Sequence, residues 1–114
     1  MSPPQPDPAA RQAQQRIAAE LSAIDFALPG SIVERMMRCG QRRCRCKDDP
    51  PQLHGPYLQW TRKTNGKTVT KMLTPEQLDR YRDWLNNARR LRELTTELET
   101  LTIQTVEQAE GWTN

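Results

Sequence analysis

No run of apolar residues in this chain approaches the roughly 20 that span a bilayer, which excludes an integral membrane protein built on helices. Aromatic residues are scarce, at 5% with a single phenylalanine, and only 35% of the 114 residues are hydrophobic. A core drawn from so few side chains is thin, and small domains of this kind usually lean on a metal, disulfides or a partner chain. The N-terminal stretch has neither a basic n-region nor an apolar h-region, so no secretory signal is expected and a cytoplasmic location is. There is one histidine, and there is no Walker loop, dinucleotide fingerprint, paired-carboxylate arrangement or His-Glu-x-x-His helix. With no base, nucleophile and orienting residue to assemble, an enzyme is not expected.

What the chain does have is charge, unevenly spread. The net charge of +3 hides ten basic residues against three acidic ones between Glu34 and Lys71, and eight acidic against five basic between Glu76 and Glu110. A basic middle and an acidic end imply two different surfaces, the first suited to a polyanion.

The pattern predicts an α+β domain. Residues 1–8 form a proline-rich tail expected to be disordered. Ile17, Leu21, Ile24 and Leu28 recur at helical spacing, predicting an amphipathic helix over 9–28 that Pro29-Gly30 ends. A small β domain is expected over 29–73. It would hold a strand over 31–38, a long Cys/His loop, and two strands on either side of Asn65-Gly66, a pair that accepts the positive φ of a type I′ turn. These make a three-stranded antiparallel sheet. Thr74-Pro75-Glu76-Gln77 is a capping box with proline at the first helical position, opening a long helix over 74–110, with 111–114 left as a tail. Along this helix Trp84, Leu91, Leu94, Leu98 and Leu101 follow three-four spacing, which predicts self-association as a coiled-coil homodimer unless the N-terminal helix covers them. A buried Asn87 would set register in such a pairing, and an exposed Asn87 would set nothing. No internal repeat is visible.

Cys39, Cys44, Cys46 and His54 fall in a Cys-x4-Cys-x-Cys-x7-His pattern. Zn²⁺ takes four tetrahedral sulfur or nitrogen ligands, and Cys3His is an accepted structural set. Such an ion would close the long loop and contribute to folding. The spacing differs from the paired Cys-x2-Cys of common fingers and ribbons. Inert buried cysteines, or a thiol redox sensor, are the competing readings, and His54 could instead hold the His-Gly-Pro turn.

Arg35, Arg38, Arg42, Arg43, Arg45 and Lys47 surround these cysteines, and Lys63 and Lys67 extend the basic strip onto the hairpin. Guanidinium forks on a pinned loop suit phosphate oxygens, so DNA or RNA is the expected partner, with Tyr57 and Trp60 as stacking rings or as sheet core. A merely solvated basic face, or one that meets the acidic stretch with Glu93, Glu97 and Glu99, is the bland alternative.

Gly30-Ser31-Ile32-Val33, Arg38-Cys39-Gly40, Cys44-Arg45-Cys46 and His54-Gly55-Pro56-Tyr57 resemble the motifs of a small bacterial and archaeal family, domain of unknown function 6788. The resemblance spans roughly Leu28 to Leu101. Gln41-Arg42 stands where the family usually has Lys-Pro, and Tyr57-Leu58 where it tends to have several tyrosines. The first departure makes the loop more basic, and the second removes stacking rings. The family's setting near transposase and recombinase genes implies a mobile-element or phage accessory role, with a transposase or recombinase as partner.

Overall fold

The computed structural model describes residues 2–112. Strands β1 (Ser31–Met37), β2 (His54–Thr64) and β3 (Lys67–Leu73) form one antiparallel sheet in the order β1-β2-β3. The β2–β3 connection is the two-residue turn that Asn65-Gly66 predicts, with φ of 51° and 79°. Both values suit a type I′ turn, whose twist matches that of the flanking strands. Helices α1 (Pro8–Ser22) and α2 (Pro75–Glu110) complete the α+β architecture.

The chain divides into two compact units, Leu28–Leu85 and the segments flanking it, with α2 contributing to both. In the first, cross-strand partners sort side chains by face. Ile32, Trp60 and Lys71 share one face with Leu58 and Leu73, whereas Val33, Gln59 and Met72 share the other. Trp60 and Leu73 line an apolar pocket of about 220 Å³ together with Leu28, Tyr81 and Trp84. The Trp60 indole N–H donates to the Pro29 carbonyl at 2.9 Å, and the Arg62 guanidinium lies 4.4 Å above the indole ring. Trp60 is therefore sheet core, as one of its two readings had it. Tyr57 sits on the opposite, open face.

The second unit pairs two helices. Arg16 of α1 bonds Glu97 of α2, and Glu20 bonds Arg90, so the helices run antiparallel. At this level Ile17 and Leu94 are fully buried, each worth about 1.5–3 kcal/mol of burial. The ion pairs around them are open to solvent, where screening and side-chain entropy leave little net gain. Burial of the two aliphatic chains, rather than charge, thus dominates this helix pairing.

Several expectations change here. The first helix starts one residue early and ends at Ser22 instead of Leu28. Asp7 caps its start by accepting from the Ala10 N–H at 2.7 Å, with Pro8 at the first helical position. It stops because the Asp25 carboxylate captures the next amide, Phe26 N–H, at 2.6 Å, an alternative to the helical ladder. Asn87 then donates to Asp25 Oδ1 at 3.1 Å and to the Phe26 carbonyl at 2.8 Å, so it secures this exit within its own chain. Leu94 is completely buried within the chain, so it is not part of a free self-association stripe; Leu98 and Leu101 are partly covered, and Trp84 and Leu91 are 38% exposed. Of the expected tails, residue 1 and residues 113 and 114 lie outside the described residues. Pro3, Pro4 and Pro6 line a groove with Leu98 and Leu101, so this stretch lies against α2 although it has no regular secondary structure.

The capping box forms in full. The Gln77 N–H donates to Thr74 Oγ1 at 3.1 Å, and the Thr74 N–H donates to Gln77 Oε1 at 2.9 Å. At the other end Gly111, at φ 72°, lets the Trp112 N–H reach back to the Glu107 carbonyl at 2.9 Å, a Schellman closure. Thr74→Ala removes one arm of the box and leaves an N–H unsatisfied. Its urea unfolding curve should show a loss of about 1 kcal/mol, with an unchanged slope.

Candidate metal centre

The loop between β1 and β2 leaves the sheet at Met37 and returns at His54, and these two residues are cross-strand partners. Between Arg35↔Tyr57 and Met37↔His54 the register slips, with one extra residue on β2. This is a bulge, and Gly55-Pro56 makes it. Gly55 adopts φ 128°, and a Cβ there would lie 2.7 Å from the Arg35 carbonyl oxygen, so no side chain fits. Pro56 has no N–H to lose from the ladder. A one-residue slip reverses the faces of everything beyond it, and here it turns His54 toward the loop.

Within the loop, Arg45–Lys47 forms a single 3₁₀ turn. The Arg45 carbonyl accepts from the N–H groups of Asp48 and Gln52, both at 3.0 Å, which folds the return segment back over the turn. The turn buries Cys46 completely and presents Cys44 at its start. Cys39 lies two residues beyond the end of β1.

These placements bring the four ligand atoms of Cys39, Cys44, Cys46 and His54 within 4.8 Å of one another. The Cys39 and Cys46 sulfurs are 3.7 Å apart, and Cys44 Sγ lies 2.9 Å from His54 Nε2. All three cysteines are free thiols. Tetrahedral coordination with Zn–S near 2.3 Å requires about 3.8 Å between sulfurs, so the Cys39–Cys46 separation matches an edge of such a site. The donor set, its proximity and the burial of one sulfur fit a divalent metal such as zinc. The four residues predicted from spacing are the four that the fold gathers.

The electrostatics favour thiolate at Cys46. Its pKa falls from an ordinary 9.0 to about 6, first because the backbone N–H of Cys39 donates to its sulfur at 3.3 Å, with the Lys47 ammonium adding to the effect. Cys44 is pushed the other way. The Cys46 N–H pulls its pKa down, but the neighbouring Cys39 and Cys46 side chains and partial desolvation together outweigh that pull.

Lys47 belongs to this centre. Its ammonium bonds the Cys39 carbonyl and lies 3.7 Å from Cys46 Sγ. Its side chain stays exposed while tied to the loop, so the cation is held in place beside the cysteines. The sequence signal was a lysine adjoining a cysteine in a turn, which composition alone reads as surface charge. Arg35, Arg38, Arg42, Arg43 and Arg45 are all exposed. Among the described residues, the ion pairs involve Arg16, Arg82 and Arg90, not these arginines, and Glu97 is held by Arg16 and Arg90. Lys63 and Lys67 do not extend one strip. Lys63 opposes Thr68 on the open face, and Lys67 opposes Thr64 on the face of Trp60.

A family described as Domain of unknown function (DUF6788) matches residues 8–83, two thirds of the chain. The chain belongs to this family. The family segment takes in α1, the whole sheet, the Cys/His loop and the opening turns of α2. It begins earlier and ends sooner than the span from Leu28 to Leu101 expected from the motifs, so most of the leucine-rich part of α2 lies outside it. No curated protein and no solved structure matches the chain. No described helix is long and apolar enough to cross a membrane.

In the reduced, chelator-treated protein, absorbance of thiolate near 240 nm should rise with a first midpoint at about pH 6, and Cys46→Ala should abolish that step. Because ionisation is easier in the folded state, its contribution to stability is complete above pH 9.0 and lost as the pH falls through about 6. Urea titrations across that range should show the same dependence.

Proposed function

We propose that this chain is a non-enzymatic nucleic-acid-binding accessory module whose basic loop is held in shape by zinc on Cys39, Cys44, Cys46 and His54. The observation that carries this reading is the convergence of those four ligand atoms at the base of a loop whose arginines are exposed. Four protein ligands make a closed structural site, so zinc bound there supplies a cross-link and leaves no open position for substrate. Arg38, Arg42, Arg43 and Arg45 then ride on a fixed backbone. Ordering them beforehand lowers the entropy lost when they meet phosphate. Binding through such a surface is governed by the phosphate backbone and weakens steeply with salt. The mobile-element setting that the family resemblance implies gives such a module a place beside a transposase or recombinase.

A second reading rests on α2. Leu91, Ile103 and Val106 are exposed there, and a second copy of the chain that covered them would make the protein a dimerisation module.

Native mass spectrometry of protein purified without chelator should find a single zinc ion per chain, absent from Cys44→Ala and His54→Ala; an apo protein overturns the metal. The same spectrum reports whether the chain is monomer or dimer.

Replacing Arg42, Arg43 and Arg45 together by Ala should weaken DNA or RNA binding by about ten-fold or more at low salt and flatten its salt dependence. Zinc content and oligomeric state should not change. Undiminished binding in that variant removes the loop from the interface.

A further inference from the structure

The sheet has two unlike faces. The face bearing Trp60 and Leu73 is taken up by the apolar pocket with Leu28, Tyr81 and Trp84. The other face places Arg35 directly opposite Tyr57, sets Val33 in a row with Gln59 and Met72, and ends with Lys63 opposite Thr68. It carries no carboxylate. The one acid in the three strands, Glu34, pairs with Leu58 on the pocket side. Val33 and Met72 are 44% and 45% exposed, and Tyr57 is partly open.

The solvated face of an antiparallel sheet is ordinarily polar throughout. This one instead combines a tyrosine ring, exposed aliphatic and thioether side chains, hydroxyls, and two cations with no anion among them. Its extent is about 20 Å along β2 from Tyr57 to Lys63 and about 10 Å across three strands. That combination complements a chain of phosphates carrying unpaired bases. In a duplex the bases are stacked on one another and cannot lie on a ring, whereas a single strand can splay them onto an aromatic platform.

We propose that the open face of the sheet binds single-stranded nucleic acid, with Tyr57 stacking on a base, Val33 and Met72 forming the apolar floor, and Arg35 and Lys63 meeting phosphates. This rests on the nucleic-acid reading above and assigns it a strand type and a second surface, apart from the loop arginines. Stacking is tolerant of sequence, so the face discriminates single strand from duplex more than one base from another.

The test is fluorescence anisotropy of the zinc-loaded full chain with a labelled oligothymidylate of about ten nucleotides and a duplex of the same length at fixed low salt. The single strand should bind about ten-fold tighter than the duplex, and Tyr57→Leu should remove that advantage while Tyr57→Phe keeps it within about two-fold. Lys63→Glu should weaken single-strand binding by about ten-fold, and Lys67→Glu, across the same turn on the opposite face, should change it by less than about two-fold. Equal effects of the two lysine reversals, or full single-strand binding by Tyr57→Leu, overturn the assignment. Duplex binding that depends on Arg42, Arg43 and Arg45 alone also overturns it and leaves the loop reading standing. A native chain that binds neither probe removes the nucleic-acid reading itself.

Discussion

The structure depends on one constraint, the meeting of three sulfurs and an imidazole drawn from separate places along the backbone. Between β1 and β2 the chain has a single fully buried side chain, and that side chain is Cys46. No aliphatic cluster holds this segment. Its order comes from amides aimed at sulfur, the Lys47 ammonium tied to the Cys39 carbonyl, and the return bonds to the Arg45 carbonyl. A metal held by the four ligands would add to this scaffold. Structural zinc in small domains contributes about 10–16 kcal/mol, comparable with the whole stability of an ordinary domain.

Much of this was legible from residue order where a local rule has a local cause. Thr74 and Gln77 close the box that their spacing announces, Asn65-Gly66 makes the turn, and Cys39, Cys44, Cys46 and His54 converge. The failures have a common origin in long-range partners. Helical periodicity continues to Leu28, but Asp25 and Asn87, far apart in sequence, divert the chain after Ser22. Leu94 belongs to a regular leucine stripe, yet it is buried at the level where Arg16 and Glu20 of α1 bond to Glu97 and Arg90. Lys63 and Lys67 are close in sequence, but a two-residue turn places them on opposite faces, which charge counting cannot show. Lys47 is an exposed cation, as charge counting expects, but its bond to the Cys39 carbonyl and its place beside Cys46 Sγ depend on a loop shape that residue order does not show.

The two units differ in what holds them. In the helical unit two aliphatic side chains do most of the work, with exposed ion pairs around them. In the sheet unit the hairpin, a tryptophan anchored to the Pro29 carbonyl and the Cys/His loop divide the task. The family match covers all but the last two residues of the second and only part of the first. The Cys/His loop therefore lies within the family segment, and the acidic, leucine-rich end of α2 lies outside it.

The bulge at Gly55-Pro56 has a consequence for how such a protein can diversify. Both ends of the loop are clamped, one by the last residue of β1 and the other by the offset that aims His54. The exposed side chains between Cys39 and Cys44 carry little of the burden of maintaining the architecture, and exposed loop positions tolerate change most readily. Arg42 and Arg43 occupy such positions, so the polarity of this surface can drift by point substitution while the clamp stays put. A fold of this design is a fixed mount with an exchangeable tip.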